Sequence, residues 1–490
     1  MKPYTKFMKS LLKIVCLCFL SLVTLAQSVT ILPGGITPAM AGNIPSLTNE
    51  QIEALPSPSI GSLANDLTFK CLRYYDGSSW AKVLTNKDSS PVAAAAWVEK
   101  GSEMERGYDI KTDANGNVYL TGIFFQNLTI GNQTISNSGG ADIFLVKYDK
   151  NGNFLWLKKA GASGYDVVEE IEVDESGNIY MTGNFTGTTN FNNLSLTSGG
   201  VSDVFLAKYD TNGEIVWVQK AGGVNSDNGK SLFLGNNGEV YLVGDFSNVA
   251  SFNNTSITSV GSTDVFIAKY DTDGVLEWVK SAGGTSDDSV EGVAVDNTGC
   301  VYIIGNFNST MNFGNTSLTS AGSSDLFIAK YNPINTTWVW AKRGGGTGGD
   351  FGRAIIIASG DKILITGTFE NTATFEGKTI ISEGDDDIYI AEYYPSGNNN
   401  WVRREGGKYS DHVMKIGLDS ENNIYITGGF YGLTNFGSTW LSNDGSNNAY
   451  IAKLNTNGTS QWVQKIGGRA SIDVYGMDVE ANGNIYHWKV

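Results

Sequence analysis

The chain has 490 residues, of which 60 are glycine and only 9 are proline, and its formal net charge at pH 7 is −16. So acidic a chain argues against nucleic acid and anionic lipid as partners, because phosphate groups are bound by clustered Lys and Arg side chains. The same charge is compatible with divalent cations, with neutral ligands and with good solubility.

The first 26 residues predict a secretory signal peptide. Residues 1–13 carry four lysines and no acid, and Ile14–Leu25 form an apolar run that is too short to span a bilayer. Thr24–Ala26 then provides a small-residue cleavage site, which we place before Gln27. Without the four lysines of this segment, the net charge of −16 becomes −20.

Four cysteines are present, and Cys16 and Cys18 fall within the predicted signal peptide. The mature chain therefore keeps Cys71 and Cys300, which we assign to different structural units. The sequence leaves two alternatives open, a disulfide between them or two unrelated thiols.

Residues 27–91 are interpreted as a linker followed by a small N-terminal module. The stretch Ser46–Leu55 predicts a short helix that is capped by Thr48 and stopped by Pro56. The segment PSLTNEQIEALPSPSIGSLANDLTFKCLRYYDGSSWAKV resembles a module found at the head of bacterial surface proteins, in which a helix precedes a Cys-x-x-Tyr-Tyr hairpin. The matching residues are Thr48, Gln51, Cys71, Tyr74, Tyr75, Asp76, Gly77 and Trp80. The resemblance implies an exported surface protein.

From about residue 92 a repeat dominates the chain, and its clearest copy is VFLAKYDTNGEIVW at 204–217. Two alternating apolar runs flank an Asn-Gly turn, which is the signature of a β-hairpin. A tryptophan ends each copy, with spacings of 61, 61, 62, 61 and 61 residues. The six tryptophans are Trp156, Trp217, Trp278, Trp340, Trp401 and Trp462. So regular a period indicates a repeat architecture.

Each repeat predicts four antiparallel strands, as the second copy shows. Its first strand covers 167–173 and its second 179–185; a crossover at 191–198 then leads to the hairpin of the third and fourth strands. Four strands in about 61 residues suit one blade of a β-propeller with a long connection between its second and third strands.

The two ends of the repeat region predict how the array closes. After Trp462 only a first and a second strand remain, whereas Ala93–Gly101 matches a fourth strand. Six full repeats and one split blade give an all-β, seven-bladed β-propeller over residues 92–490, its last blade closed by both termini. Such closure would leave no free sheet edge.

The pattern GNxYxTGxF…DxFxAKYdxnGxxxWxxxxGG resembles the β-propeller repeat of bacterial secreted and cell-surface proteins. It covers six full copies and a partial one, from about 92 to 490. The resemblance implies an extracytoplasmic propeller, generally without a catalytic role.

A recurring carboxylate at the start of the first strand is the candidate metal site. In a closed ring these carboxylates would surround one mouth of the central channel, where their oxygens could bind Ca²⁺. The alternative is structural, with each carboxylate accepting backbone N–H groups in its own turn. The residues are Glu105, Asp166, Asp227, Asp288, Asp350 and Asp411.

A second acidic series opens the third strand, and for it we predict a structural role in the turn. A lysine follows five residues later in most copies, but residues five apart on a strand face opposite sides and would not pair. The series is Asp142, Asp203, Asp264, Asp325 and Asp387, with Asn448 in the last copy.

Other candidates for chemistry are few. The turn Asp271–Gly274 imitates the start of an EF-hand loop but lacks its bidentate Glu, which favours hairpin chemistry. The only histidines are His412 and His487, too few for a His-rich zinc site. His412 follows Asp411, so a catalytic site at the channel rim remains an alternative. We interpret the repeated tryptophans and second-strand tyrosines as packing between blades.

The sequence thus predicts an exported, non-enzymatic propeller, monomeric, secreted or held at the cell surface, that recognises an extracellular protein or ligand. No cofactor is expected apart from Ca²⁺ at the rim. One alternative is a glycan-binding propeller that uses Phe191, Asn192, Phe252 and Asn253 of the long connections. The other is a hydrolase or lyase with its site at the rim.

Overall fold

The computed structural model describes residues 46–55, 63–66, 71–75, 80–82, 105–443, 447–467 and 474–489. The predicted signal peptide, its cleavage site and the predicted closing strand Ala93–Gly101 lie outside these residues. In the described part of the chain no helix has both the length and the apolar character needed to cross a membrane.

The chain divides into two compact units, residues 1–94 and 95–490. In the first unit, helix α1 (Asn49–Glu53) has the predicted cap. The N–H of Gln51 donates to Thr48 Oγ1 at 3.4 Å, and the N–H of Thr48 donates to Gln51 Oε1 at 2.9 Å, which is a capping box. A four-stranded sheet accompanies it. Its strands, in sheet order, are β1 (Ser46–Leu47), β2 (Leu63–Asp66), β3 (Cys71–Tyr75) and β4 (Trp80–Lys82).

The second unit repeats one pattern of four antiparallel strands, and strands are numbered in chain order. The first strands are β5 (Glu105–Thr112), β11 (Asp166–Val173), β17 (Asn228–Leu234), β23 (Asp288–Val295), β29 (Asp350–Ala358), β33 (Asp411–Leu418) and β39 (Val474–Val479). The second strands are β6 (Val118–Phe124), β12 (Ile179–Phe185), β18 (Val240–Phe246), β24 (Val301–Phe307), β30 (Lys362–Phe375), β34 (Ile424–Phe430) and β40 (Ile485–Lys489).

The third and fourth strands form the hairpins that the tryptophan repeat predicts. The third strands are β9 (Asp142–Tyr148), β15 (Asp203–Tyr209), β21 (Asp264–Tyr270), β27 (Asp325–Asn332), β31 (Lys378–Tyr393) and β37 (Asn448–Leu454). The fourth strands are β10 (Phe154–Ala160), β16 (Ile215–Gly222), β22 (Leu276–Gly284), β28 (Thr337–Gly346), β32 (Asn399–Gly407) and β38 (Ser460–Ile466). These strands build six four-stranded units, called units 1 to 6, and among the described residues β39 and β40 form a sheet of two strands.

The predicted long connection between second and third strands is itself a hairpin. The connecting hairpins are β7 (Leu128–Ile130) with β8 (Gln133–Ile135), β13 (Thr188–Phe191) with β14 (Leu194–Thr197), β19 (Val249–Phe252) with β20 (Thr255–Thr258), β25 (Thr310–Phe313) with β26 (Thr316–Thr319), and β35 (Leu433–Phe436) with β36 (Thr439–Ser442). In unit 5 the long strands β30 and β31 include it. In units 2 to 6 this hairpin pairs with the fourth strand of the preceding unit, as Phe252 does with Ala221.

The prediction of seven separate four-stranded blades, the last one closed by both termini, is therefore not confirmed. Pairing between units joins most of them into four extended sheets, three of six strands and one of ten. The sequence pattern shows where strands lie but not which neighbour an inserted hairpin joins, and this is why the prediction missed the continuous sheets. What is confirmed is an all-β, propeller-like architecture.

The first strands of successive units pack side by side. Strand β39 packs against β33 on one side and β5 on the other, and the N–H and Oγ1 of Thr112 donate to Asp478 Oδ2 at 2.8 and 2.6 Å. The first strands surround a central cavity, while the apolar core lies between the faces of neighbouring units. One core cluster, for example, joins Tyr119 of unit 1 to Phe185 and Phe205 of unit 2.

Candidate functional site

The predicted metal-binding carboxylates begin the first strands, as the sequence indicated, but they are buried and separate from one another. Asp166, Asp227, Asp288, Asp350 and Asp411 are at most 1% exposed, and Glu105 is 7% exposed. In the part of the chain that the structure describes, no group of three or more His, Cys, Asp or Glu side chains is arranged to hold a metal ion.

Each of the five aspartates accepts a backbone N–H from four residues earlier, which is the structural role that the sequence left open. The distances to the acceptor Oδ2 are 3.1 Å for Asp166 and 2.7 Å for each of the others. The bond fixes the tight loop between a fourth strand and the next first strand.

The second acidic series makes the same bond, as predicted for a turn role. For example, the N–H of Gly199 donates to Asp203 Oδ2 at 2.8 Å, and the N–H of Val260 donates to Asp264 Oδ2 at 2.9 Å. All five of these aspartates are at most 2% exposed.

The structure brings the two series together in pairs, which sequence reasoning missed. Each pair lies at a junction, the place where the fourth strand of one unit meets the first strand of the next. At the unit 2–3 junction, Gly222 has φ +144°, and a Cβ there would lie 2.8 Å from both Asp203 Oδ1 and Asp227 Oδ2. Glycine therefore leaves the space that two facing carboxylates fill. The carboxylate pairs are Asp142 with Asp166, Asp203 with Asp227, Asp264 with Asp288, Asp325 with Asp350, and Asp387 with Asp411.

Burial and mutual repulsion raise the pKa of the first-strand aspartates. Burial, with the negative charge of the partner carboxylate acting in the same direction, raises the pKa of Asp166 and Asp227 to about 6 and that of Asp288, Asp350 and Asp411 to about 7. A constant spacing of 24 or 25 residues between the two series was the signal that could have revealed the pairs.

Four of the five pairs have a cation beside them, supplied by the fourth strand. Its nitrogen lies 2.7 to 3.0 Å from Oδ2 of the third-strand aspartate. The four ion pairs are Lys159 with Asp142, Lys220 with Asp203, Arg343 with Asp325, and Arg404 with Asp387. At the unit 3–4 junction the equivalent position is Ser281, opposite Phe266 in the strand register, just as Lys220 is opposite Phe205.

The central cavity has a volume of about 830 Å³ and is lined by charged side chains of the first strands. One layer of this lining is formed by the residues at the same position in successive first strands. In it the charges of Glu169, Lys230, Glu291 and Arg353 alternate between negative and positive, and Met414 of unit 6 follows them. Tyr108 and Tyr475 complete the layer and stack with ring centroids 6.1 Å apart. These residues carried no strong signal in the sequence, because the residue type at this position changes from one unit to the next.

A buried ion cluster lies in the same cavity. Lys415 Nζ is 2.9 Å from Glu170 Oε1 and 3.4 Å from Asp109 Oδ1, and Lys111 Nζ is 2.7 Å from Glu172 Oε1. Burial by itself would lower the pKa of Lys415, but Asp109 and Glu170 outweigh it and hold that pKa above its usual value. Burial raises the pKa of Glu172 to about 7.

The repeated aromatic residues pack between strands and units, as predicted. Trp217 meets Tyr180 edge to face at 6.1 Å, and its indole N–H donates to Thr272 O of the next unit at 3.2 Å. Lys208 Nζ lies 5.0 Å from the centre of the Tyr180 ring.

Several other residues that the sequence singled out have structural roles, in a turn or in the core. Asp271 Oδ1 accepts the N–H groups of Asp273 and Val275, so this turn is a hairpin turn as predicted. Phe191 and Phe252 are at most 1% exposed, and they pack on Phe205 and Phe266, respectively. In the glycan-binding alternative these two phenylalanines are therefore not contacts, because strand pairing turns their side chains into the core.

The remaining candidates are Cys300 and the Asp411–His412 pair. Cys300 is buried and has a free thiol, whereas the side chain of Cys71 lies outside the described part of the structure. Asp411 accepts hydrogen bonds from Thr434 Oγ1 at 2.6 Å and from the N–H of Gly407 at 2.7 Å. Both of its oxygens thus have partners other than the imidazole of His412.

One end of the units exposes apolar side chains. The end, here called the loop face, consists of the loops before the first and third strands and after the second strand. It carries six of the fourteen exposed large apolar side chains among the described residues: Tyr165, Val201, Val224, Val260, Tyr409 and Tyr431, which are 41–71% exposed.

Repeated four-stranded units packed side by side define a propeller-like repeat protein. No protein-family model matches the chain. Among curated proteins, it is 25% identical over 485 residues to an uncharacterized WD repeat-containing protein, L264, of Acanthamoeba polyphaga mimivirus, covering 77% of this chain and 35% of that protein.

A second relative is the regulatory protein FlaEY of Caulobacter vibrioides, with 22% identity over 390 residues, covering 73% of this chain and 40% of that protein. The chain thus spans well under half the length of these two relatives. Among solved structures, a europium-containing methanol dehydrogenase aligns with a TM-score of 0.34 and 12% identity, over 87% of this chain and 78% of that one. So low a score carries no argument about function.

Proposed function

We propose that this protein is an exported, non-catalytic recognition propeller that binds an extracellular or cell-surface protein through its loop face. The proposal includes a ring of seven blades closed by both termini. The packing of β39 against both β33 and β5 supports such a ring. A relative described as a WD repeat-containing protein is consistent with a scaffold role.

The observation that carries the proposal is the exposed apolar surface of the loop face. Val201, Val224 and Val260 are 64%, 71% and 68% exposed on units 2 and 3. Tyr409 and Tyr431 form an edge-to-face pair at 5.8 Å on unit 6 while staying 42% and 41% exposed. Exposed apolar side chains that gather on one face are typical of interaction surfaces, and Tyr is favoured at their centres.

The hairpins between second and third strands are not part of the proposed binding surface. They pair with the preceding unit, and their phenylalanines are buried. Recognition is therefore assigned to the shorter loops at the loop face.

A binding experiment with matched variants tests the proposal. The full chain is used to capture partners from an outer-surface fraction of the producing cells, with Val224→Glu compared with Val339→Glu. Val339 is 49% exposed on the fourth strand β28, away from the loop face. We expect the wild type and Val339→Glu to capture the same protein and Val224→Glu to lose it.

Retention of that partner by Val224→Glu would contradict the assignment of the loop face. Binding on a glycan array, abolished by Tyr409→Ala, would instead support the lectin alternative. Turnover of a substrate that is lost in His412→Ala would support the enzyme alternative.

A further inference from the structure

Every first strand carries a β-bulge at the same position, and the extra residue of each bulge lines the central cavity. In unit 2, for example, Val168 pairs with Gly183 and Glu170 pairs with Thr182, so Glu169 is the extra residue. The seven extra residues, here called the bulge residues, are the charged and aromatic layer described above. Bulges redirect side chains and are frequent beside functional sites.

The backbone of the bulge repeats in all seven first strands, but its side chain does not. The junction aspartates and the second-strand tyrosines recur in most units, because they have the same structural role in each. The bulge residues are two tyrosines, two glutamates, a lysine, an arginine and a methionine. A residue that only held the repeat together would recur as the others do. The variation therefore indicates a function that belongs to the ring of units and not to the single unit.

Two neighbouring bulge residues carry opposite charges that do not touch. Among the described residues, neither the carboxylate of Glu169 nor the ammonium of Lys230 makes a hydrogen bond or an ion pair. Burial raises the pKa of Glu169, and the charge of Lys230 acts against that effect from a distance. The charges of the ion cluster deeper in the cavity meet at 2.7 and 2.9 Å instead. The gap between Glu169 and Lys230 therefore has room for a molecule that brings a charge to each of them.

An aromatic surface adjoins this gap. Tyr108 lies on the other side of Glu169, and burial, together with the nearby charge of Glu169, raises the pKa of Tyr108 to about 12. Tyr475 stacks on Tyr108 at 6.1 Å. The cavity volume of about 830 Å³ lies within the range of about 300–1,000 Å³ that is usual for small-molecule sites. The bulge residues fall within the first four residues of their strands, so this layer lies near the loop face, from which a ligand can enter.

We propose that the central cavity binds a small zwitterion with an apolar side chain, an amino acid or a short peptide, between Glu169 and Lys230. Its ammonium group pairs with the Glu169 carboxylate, its carboxylate pairs with the Lys230 ammonium, and its side chain packs on Tyr108. A simple anion or cation would satisfy one of the two charges and leave the other without a partner. The site is separate from the loop-face surface that we assign to a protein partner.

The first test measures binding to the wild-type full chain by isothermal titration calorimetry. The probes are L-phenylalanine and L-phenylalanyl-L-phenylalanine, each compared with its N-acetylated and its C-amidated form, which lack one of the two charges. At least one zwitterion is expected to bind, and the preferred one shows whether the site takes an amino acid or a peptide. Each single-charge form should bind at least about 10-fold more weakly. Equal binding of the three forms, or no binding of any probe up to about 10 mM, overturns the proposal.

The second test assigns the two charges to their residues. Glu169→Gln and Lys230→Gln should each weaken binding of the zwitterion at least about 10-fold, while Glu169→Gln leaves binding of the N-acetylated form unchanged and Lys230→Gln that of the C-amidated form. The matched controls Glu175→Gln and Lys150→Gln change exposed turn residues and should bind as the wild type does. Thermal melting verifies that each variant is folded, and the wild-type measurement decides the proposal where one is not. Unchanged affinity in both folded cavity variants would place the ligand elsewhere and disprove the site.

Discussion

Lys415 is a single residue that connects three units of the repeat array at the central cavity. It extends from unit 6 to Glu170 of unit 2 and to Asp109 of unit 1. The neighbouring first strand β39 comes close to the same place, since a Cβ on its Gly476 would lie 2.9 Å from Asp109 Cα. One ammonium group therefore holds three units together.

Replacement of Lys415 by methionine should lower the free energy of unfolding by about 3–5 kcal/mol, because the buried Asp109 and Glu170 would lose their nearest cation and keep only the more distant Lys111. Urea unfolding followed by tryptophan fluorescence measures the change. Lys158→Met is the control, since Lys158 and Glu214 form a solvent-exposed pair, which should cost less than about 1 kcal/mol. Equal losses in the two variants would contradict the bridging role.

At the scale of elements, the connecting hairpin is the feature that sets this fold apart from isolated blades. In the hairpin β19–β20, Phe252 pairs with Ala221 of the preceding unit and packs on Phe266 of its own unit at 4.9 Å. The hairpin is thus fixed to both units, so it stabilises the boundary between them.

Phe252→Ala should release this hairpin, with a loss of about 3–5 kcal/mol from the cavity and the lost contact. Hydrogen exchange should accelerate first at the amides of 249–258 and at the end of β16, whereas exchange in unit 5 should stay slow. Val249→Ala, on the same strand but 47% exposed, serves as the control and should change little. If exchange accelerated equally in all units, the hairpin would not stabilise this boundary locally.

The elements themselves were largely predictable from the sequence, whereas the contacts between them were not. Alternating apolar residues and Asp-x-x-Gly turns placed the four strands of each unit, since these patterns act locally. The hairpin pairing of Phe252 and the meeting of Asp264 with Asp288 depend on which strands become neighbours. Nothing within a single repeat specifies that. The charged layer around Lys230 was equally hidden, because it exists only when several units surround one cavity.

At the scale of the whole molecule, the raised pKa values predict how stability depends on pH. The first-strand aspartates have folded pKa values of about 6 to 7, against 3.8 for an ordinary aspartate. The folded state binds more protons than the unfolded state in this range, so their contribution is fully present below about pH 4 and is lost as the pH rises through 6 to 7. The turn aspartate Asp419 has the opposite effect. Burial by itself would raise its pKa, but hydrogen bonds from Asn423, Lys453 and Tyr425 lower that pKa to about 2. Its contribution to stability is therefore lost only as the pH falls from about 4 towards 2.

We therefore expect the Tm to rise as the pH is lowered from 8 to 5 in the presence of a chelator, measured by differential scanning calorimetry. Asp350→Asn mimics the protonated form at one junction and should make this dependence shallower while raising the Tm at pH 8. A Tm that falls between pH 8 and pH 5 would contradict the burial of these groups as carboxylates.

Because the connecting hairpins of units 2 to 6 complete the sheets of the units before them, no 61-residue repeat in this part of the array is a self-contained building block. A deletion of one full period, begun at any point within the array, would still give every remaining hairpin a fourth strand to join. A deletion of half a period would leave one strand edge bare. Growth and shrinkage of such a gene should therefore proceed in whole periods, with breakpoints free to fall anywhere in the repeat.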